Sequence, residues 1–129
     1  MRLLGIDYGE KRIGLALSDQ EQNMAFPYGV ISNNHNIFTE LKSLCKKEKV
    51  EKIILGYPLD YKNQPTTATP MVLEFKTKLE QKLGLSVELE KEVLTTKEAA
   101  QIQGYHKKID ASAAALILNS YLMRKNMIK

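Results

Sequence analysis

The spacing of apolar and polar positions changes several times along the chain, and each change marks an element. Arg2 to Tyr8 is apolar apart from Asp7 and its ends, the pattern of a buried strand. After the turn at Gly9 and Glu10, Lys11 to Ser18 predicts a second strand that closes a hairpin. Pro27 and the cluster Asn33-Asn34-His35-Asn36 bound a third short strand over Tyr28 to Ser32, and the cluster also offers helix N-caps. Ile37, Phe38, Leu41, Leu44 and Cys45 then recur at three and four residues, which predicts a helix ending near Lys49.

The second half alternates. Lys52 to Tyr57 is a β-branched apolar run that stops at Pro58, as expected of an interior parallel strand. Leu59 to Thr69 is a long polar loop of the kind that carries function. Val72, Phe75 and Leu79 predict a helix over Met71 to Leu83, capped by Gly84, and Val87 and Leu89 alternate with Glu88 and Glu90 in a strand from Ser86 to Glu92. Thr95 and Glu98 form a capping box for a short helix ending at Gly104. A last helix is expected from Asp110 to about Lys125, with Ala111, Ala114, Ala115, Leu118 and Leu122 on one face. The order βββαβαβαα predicts an α/β fold: a mixed five-stranded sheet, three antiparallel strands and then parallel ones, with helices on both faces.

At 129 residues this is one domain, 1–129, and 43% hydrophobic with 26% charged residues is the composition of a chain that folds by itself. No apolar run approaches the ~20 residues that cross a bilayer, so no membrane association is expected. The N-terminus enters a strand directly without a leader pattern, and the single cysteine, Cys45, suits packing in a reducing compartment. A cytoplasmic location is expected. The net charge of +4 permits a polyanionic partner and equally a lysine-rich solubilising surface.

Three acids carry the candidate chemistry. Asp7 is a carboxylate in an apolar strand, where burial is costly unless it is paired or metal-bound; the alternative is a strand-end acceptor for the Gly9 turn. Glu92 ends the last strand, where parallel sheets gather ligands, or it belongs with Glu88 and Glu90 to a solvated strand face. Asp110 opens the last helix, where capping by itself is the better explanation. Together the three suit a nuclease site, in which converging carboxylates hold one or two Mg2+ or Mn2+ ions that activate water and stabilise the leaving oxygen. Lys11, Arg12, Lys107 and Lys108 flank these acids and are candidate nucleic-acid contacts, or ordinary solvated charge. Tyr57 and Tyr61 could stack on bases or simply pack, while His35 and His106 read as surface residues. No His-x-x-x-His pair, Gly-x-Ser-x-Gly elbow or Gly-Lys-Ser/Thr phosphate loop competes.

Gly5-Ile-Asp-Tyr-Gly9, Lys11-Arg-Ile-Gly14, Ser18-Asp19, Gly56-Tyr-Pro-Leu59, Leu94-Thr-Thr96 with Glu98, and Asp110-Ala111 running to Ser120-Tyr-Leu122 together resemble the YqgF/RuvX family over essentially the whole chain. The resemblance implies a ribonuclease H-like fold, with Asp7, Glu92 and Asp110 in the family's acidic positions. It also implies a nuclease that matures the 5′ end of precursor 16S rRNA, with the assembling small ribosomal subunit as a candidate partner. Its likeness to RuvC-type enzymes offers Holliday junction resolution on branched DNA as the alternative. Two departures bear on substrate grip: Lys91 and Val93 stand where the family usually has an acid and an arginine around Glu92, and the loop after Pro58 lacks the usual glycines. A non-catalytic ribosome-assembly module is a further alternative. An actin-like nucleotide-binding domain is a third, but it would need a second such domain.

Overall fold

The computed structural model describes residues 1–59, 64, 66, 69–93 and 106–127. Strands β1 (Arg2–Asp7), β2 (Arg12–Ser18) and β3 (Ala25–Ser32) are followed by α1 (Ile37–Lys47), β4 (Val50–Leu59), α2 (Thr69–Leu83), β5 (Ser86–Val93) and α3 (His106–Met127). The strands form one sheet in the order β3-β2-β1-β4-β5. The β1–β2 and β2–β3 pairs are antiparallel, and β4 and β5 join parallel to β1 and β4. The carboxyl ends of β1, β4 and β5 therefore share one edge. This is the mixed sheet expected from the order of the elements.

Strand alternation sorts the core into two layers. Leu4, Ile6, Ile13, Leu15, Ile53, Leu55 and Val87 face α1 and α2, where they meet Ile37, Leu41, Cys45, Val72, Phe75 and Leu79. Complete burial of such a side chain stabilises the fold by about 1.5–3 kcal/mol. Leu3, Ala16, Ala25 and Ile54 face α3 and pack on Ala114, Ala115, Ile117, Leu118, Tyr121 and Leu122. The alanines let α3 approach closely, and β1 answers with Gly5: a Cβ there would lie 2.9 Å from Leu118 Cβ and 3.0 Å from the Ala114 carbonyl oxygen. Cys45 is buried as expected, and burial pushes its thiol pKa up to about 11.

Several boundaries differ from the pattern reading. β3 begins at Ala25 and runs through Pro27, because it is an edge strand with a register irregularity opposite Leu15 and Ala16, where a missing N–H is tolerated. β4 continues to Leu59 because beyond Leu55 it pairs only with β5, which leaves one side open at Pro58. Asn36 occupies the cap position of α1 without a side-chain cap bond; instead Asn34 Oδ1 accepts the Asn36 N–H at 2.9 Å. Gly84 ends α2 at φ +70°, the left-handed cap expected of it. The helix predicted between Thr95 and Gly104 lies outside the described residues.

The largest correction concerns the last helix. α3 starts at His106, so Asp110 is its fifth residue and not its cap, and Lys107 and Lys108 belong to its first turn, not to a preceding loop. The apolar stripe read from the sequence begins only at Ala111, so the pattern could not show the turn before it.

Candidate active site

The three acidic positions come from three elements, and the fold brings all three to one side of one sheet edge. Asp7 is the last residue of β1 and follows Leu3 and Gly5 on the face covered by α3. It pairs with Gly14 across the hairpin and is half-buried. On β5, Val87 and Leu89 pack into the α1–α2 layer, which leaves positions 88, 90 and 92 on the α3 face. Position 92 stands opposite Pro58, near the carboxyl end of β4. On α3, position 110 continues the stripe of Ala114, Ile117 and Tyr121, one turn before the Ala114 that rests against Gly5. It therefore lies beyond that contact, toward the end of β1. The Glu92 and Asp110 side chains lie outside the described residues. Among those described, no three His, Cys, Asp or Glu side chains gather as a metal site.

Of the described β5 glutamates, Glu90 is not solvated. Glu90 is 6% exposed, accepts the Ser120 hydroxyl at 2.9 Å and pairs with the Arg124 guanidinium. Glu88 lies 3.4 Å from Lys52 Nζ. Hydrogen bonding from Tyr121 and then the Lys52 charge hold its carboxyl below the usual range, against the cost of burial. Position 110 lies inside α3 and not at its cap.

The turn after Asp7 is held from two sides. Asn33 donates from Nδ2 to the Gly9 carbonyl at 2.8 Å, and its backbone N–H donates to the Lys11 carbonyl at 2.9 Å. Gly9 is required there, since a Cβ would stand 2.4 Å from the Arg12 carbonyl oxygen. The exposed side chains of Lys11 and Arg12 therefore leave from a fixed turn directly beside Asp7. Asn33 was legible only as part of a polar cluster, because its partners lie more than 20 residues away. Glu90 was hidden for the same reason, its partners being on α3. Ser18 and Asp19 turn out to be architectural. Ser18 Oγ, 1% exposed, accepts the Leu3 N–H at 2.8 Å, and Asp19 Oδ1 accepts N–H bonds from Asn23 and Met24 at 2.7 and 3.1 Å.

A profile of the RuvX family, described as Holliday junction resolvase, matches residues 1–124. The chain belongs to the RuvX family. A relative from Maridesulfovibrio salexigens named "Putative pre-16S rRNA nuclease" is 37% identical over 96% of this chain and 99% of its own length. One of the same name from Rickettsia felis is 35% identical over 93% and 84%. The fold is shared with Thermus thermophilus RuvC in complex with a Holliday junction substrate, at a TM-score of 0.59 and 13% identity over 97% of this chain and 95% of that one. It is shared also with the fowlpox virus resolvase, solved with Holliday junction DNA, at a TM-score of 0.59 and 12% identity over the whole of both chains. The chain thus has the ribonuclease H-like fold and belongs to a family of nucleases, which are hydrolases of phosphodiester bonds.

Proposed function

We propose that residues 1–129 form a single cytoplasmic endonuclease domain that processes the 5′ end of precursor 16S rRNA, with Asp7, Glu92 and Asp110 holding one or two Mg2+ or Mn2+ ions. The observation that carries this reading is the arrival of three acidic positions, from β1, β5 and α3, on one face of the sheet edge beside a rigid basic turn. An all-carboxylate donor set suits a hard divalent cation. Such an ion supplies water activation and charge neutralisation at the scissile phosphate.

The chain's own residues do the rest. The hairpin supports position 7, the register beside Pro58 position 92, and the seating of Ala114 on Gly5 position 110. Lys11 and Arg12 on the turn, with Lys107 and Lys108 in the first turn of α3, hold the phosphate backbone and set the strand's path past Asp7. Lys91 and Val93 alter that grip around Glu92. The precursor is met within the assembling small ribosomal subunit. No described helix is long and apolar enough to cross a membrane.

The test is cleavage of end-labelled precursor 16S RNA and of a four-way DNA junction, with magnesium, manganese or chelator. We expect metal-dependent cutting of the RNA near its mature 5′ end. Asp7→Asn should lower the rate by more than about 100-fold, since even residues that merely support a metal ligand cost 10–100-fold. Its melting temperature should not fall, because removing clustered negative charge relieves repulsion in the metal-free protein. Symmetric cutting of the junction would instead make the chain a resolvase, the activity in the family's description. Full activity of a folded Asp7→Asn variant would sink the site assignment, and RNA binding without any cutting would leave an assembly role.

A further inference from the structure

A cavity of about 210 Å³ opens between the start of α1, the first half of α2 and the end of β1, and nothing in the proposed chemistry uses it. Its wall includes the rings of Tyr8, Phe38 and Phe75, with Asn33, Asn34 and Lys78 among the polar residues. Tyr8 and Phe75 stand 4.7 Å apart and Phe38 and Phe75 5.5 Å apart, centroid to centroid, both tilted. We propose that this cavity is a nucleobase subsite that receives one unpaired base of the strand being cut.

Tyr8 is the covalent neighbour of Asp7, so a strand whose phosphate lies at Asp7 passes the mouth of the cavity. Strand alternation turns Tyr8 to the α1–α2 side while Asp7 faces α3, which places backbone chemistry and base on opposite sides of the strand end. Asn33 links the two, since it lines the cavity and also holds the Gly9 carbonyl of the turn that bears Lys11 and Arg12. Aromatic walls stack on any base, and the Asn34 carboxamide, whose oxygen is engaged by the Asn36 N–H, retains its amide nitrogen as a donor. The Lys78 ammonium at the rim is held 3.1 Å from Glu74 in an exposed pair that a phosphate can outcompete. Two further cavities among the described residues, around Met1 and Leu83 and around Arg2 and Phe26, adjoin the opposite end of β1 and suit no strand passing Asp7.

This inference rests on the nuclease reading, and its test separates the two. The protein has no tryptophan, so Phe38→Trp places a single fluorescent reporter in the cavity wall, and Tyr28→Trp on β3 serves as control. Both are titrated with a short single-stranded RNA in chelator while fluorescence anisotropy of the labelled RNA follows binding. We expect Trp quenching for Phe38→Trp and none for Tyr28→Trp. In the otherwise native protein, Tyr8→Leu should weaken RNA binding and raise KM by about 5- to 150-fold, the range set by loss of one stacked base, with kcat within about twofold. RNA binding without a change in the Trp signal, or a folded Tyr8→Leu variant with native affinity, would overturn the subsite and leave the nuclease reading standing. Absence of RNA binding by the native chain would overturn both.

Discussion

Single residues around Asp7 act mainly through the backbone. Gly9 lies against the Arg12 carbonyl at a distance no side chain permits, so Gly9→Ala must displace the hairpin turn. We expect a loss of about 1–3 kcal/mol, the usual cost of forcing an extra carbon into a filled space, read by urea denaturation. Asp19 illustrates a different control. Hydrogen bonds from the Met24 and Asn23 N–H groups hold its carboxyl below the usual range. A depressed folded pKa means that its contribution is fully present above the unfolded value of about 3.9 and is lost as pH falls through the folded value. Asp19→Asn should therefore lower stability near neutral pH and flatten the decline of the native protein below pH ~4, measured by melting across that range.

At the scale of elements, α3 is held on the sheet by contacts of different chemistry, two of which stand out. Near its middle, Ala114 and Leu118 seat on Gly5; nearer its end, Ser120 and Arg124 close on Glu90 of β5. Glu90 is buried whereas Arg124 is about half-exposed. Removing the partners is therefore unequal. Arg124→Leu strands a buried carboxylate with only Ser120 to support it and should cost about 2–4 kcal/mol, whereas Glu90→Gln leaves a guanidinium that can turn to water and should cost less. Equal losses in denaturant titrations of the two variants would count against this account. The alternation of β5 was plain in the sequence, but which face was covered was not. Glu88, Glu90 and Glu92 have the spacing of a solvated strand face, and only the arrival of Ser120 and Arg124 on α3 covers Glu90.

For the whole molecule, the site exists only as a relation between β1, β5 and α3, and Gly5 is where that relation is set. Gly5→Ala would drive Leu118 and the Ala114 carbonyl back by a few tenths of an ångström, moving position 110 relative to Asp7. Because a misplacement of about 1 Å at a reacting centre can cost 100-fold in rate, we expect kcat to fall about tenfold or more. That fall should persist well below the variant's melting temperature, where loss of folded protein contributes nothing. The strand order, the mixed sheet and the family were legible in the sequence, and the three acids were singled out there as candidates. Periods of two and 3.6 residues and the turn residues are local properties, and the motifs lie in short contiguous runs. What only the tertiary structure decided was the start of α3 at His106, the inward turn of Glu90, the clasp of Asn33 on the Gly9 turn, and the cavity beside Tyr8. Each depends on groups far apart in the chain, whose partners are chosen by packing across the sheet and by the need to satisfy buried polar atoms, and no local pattern records that choice.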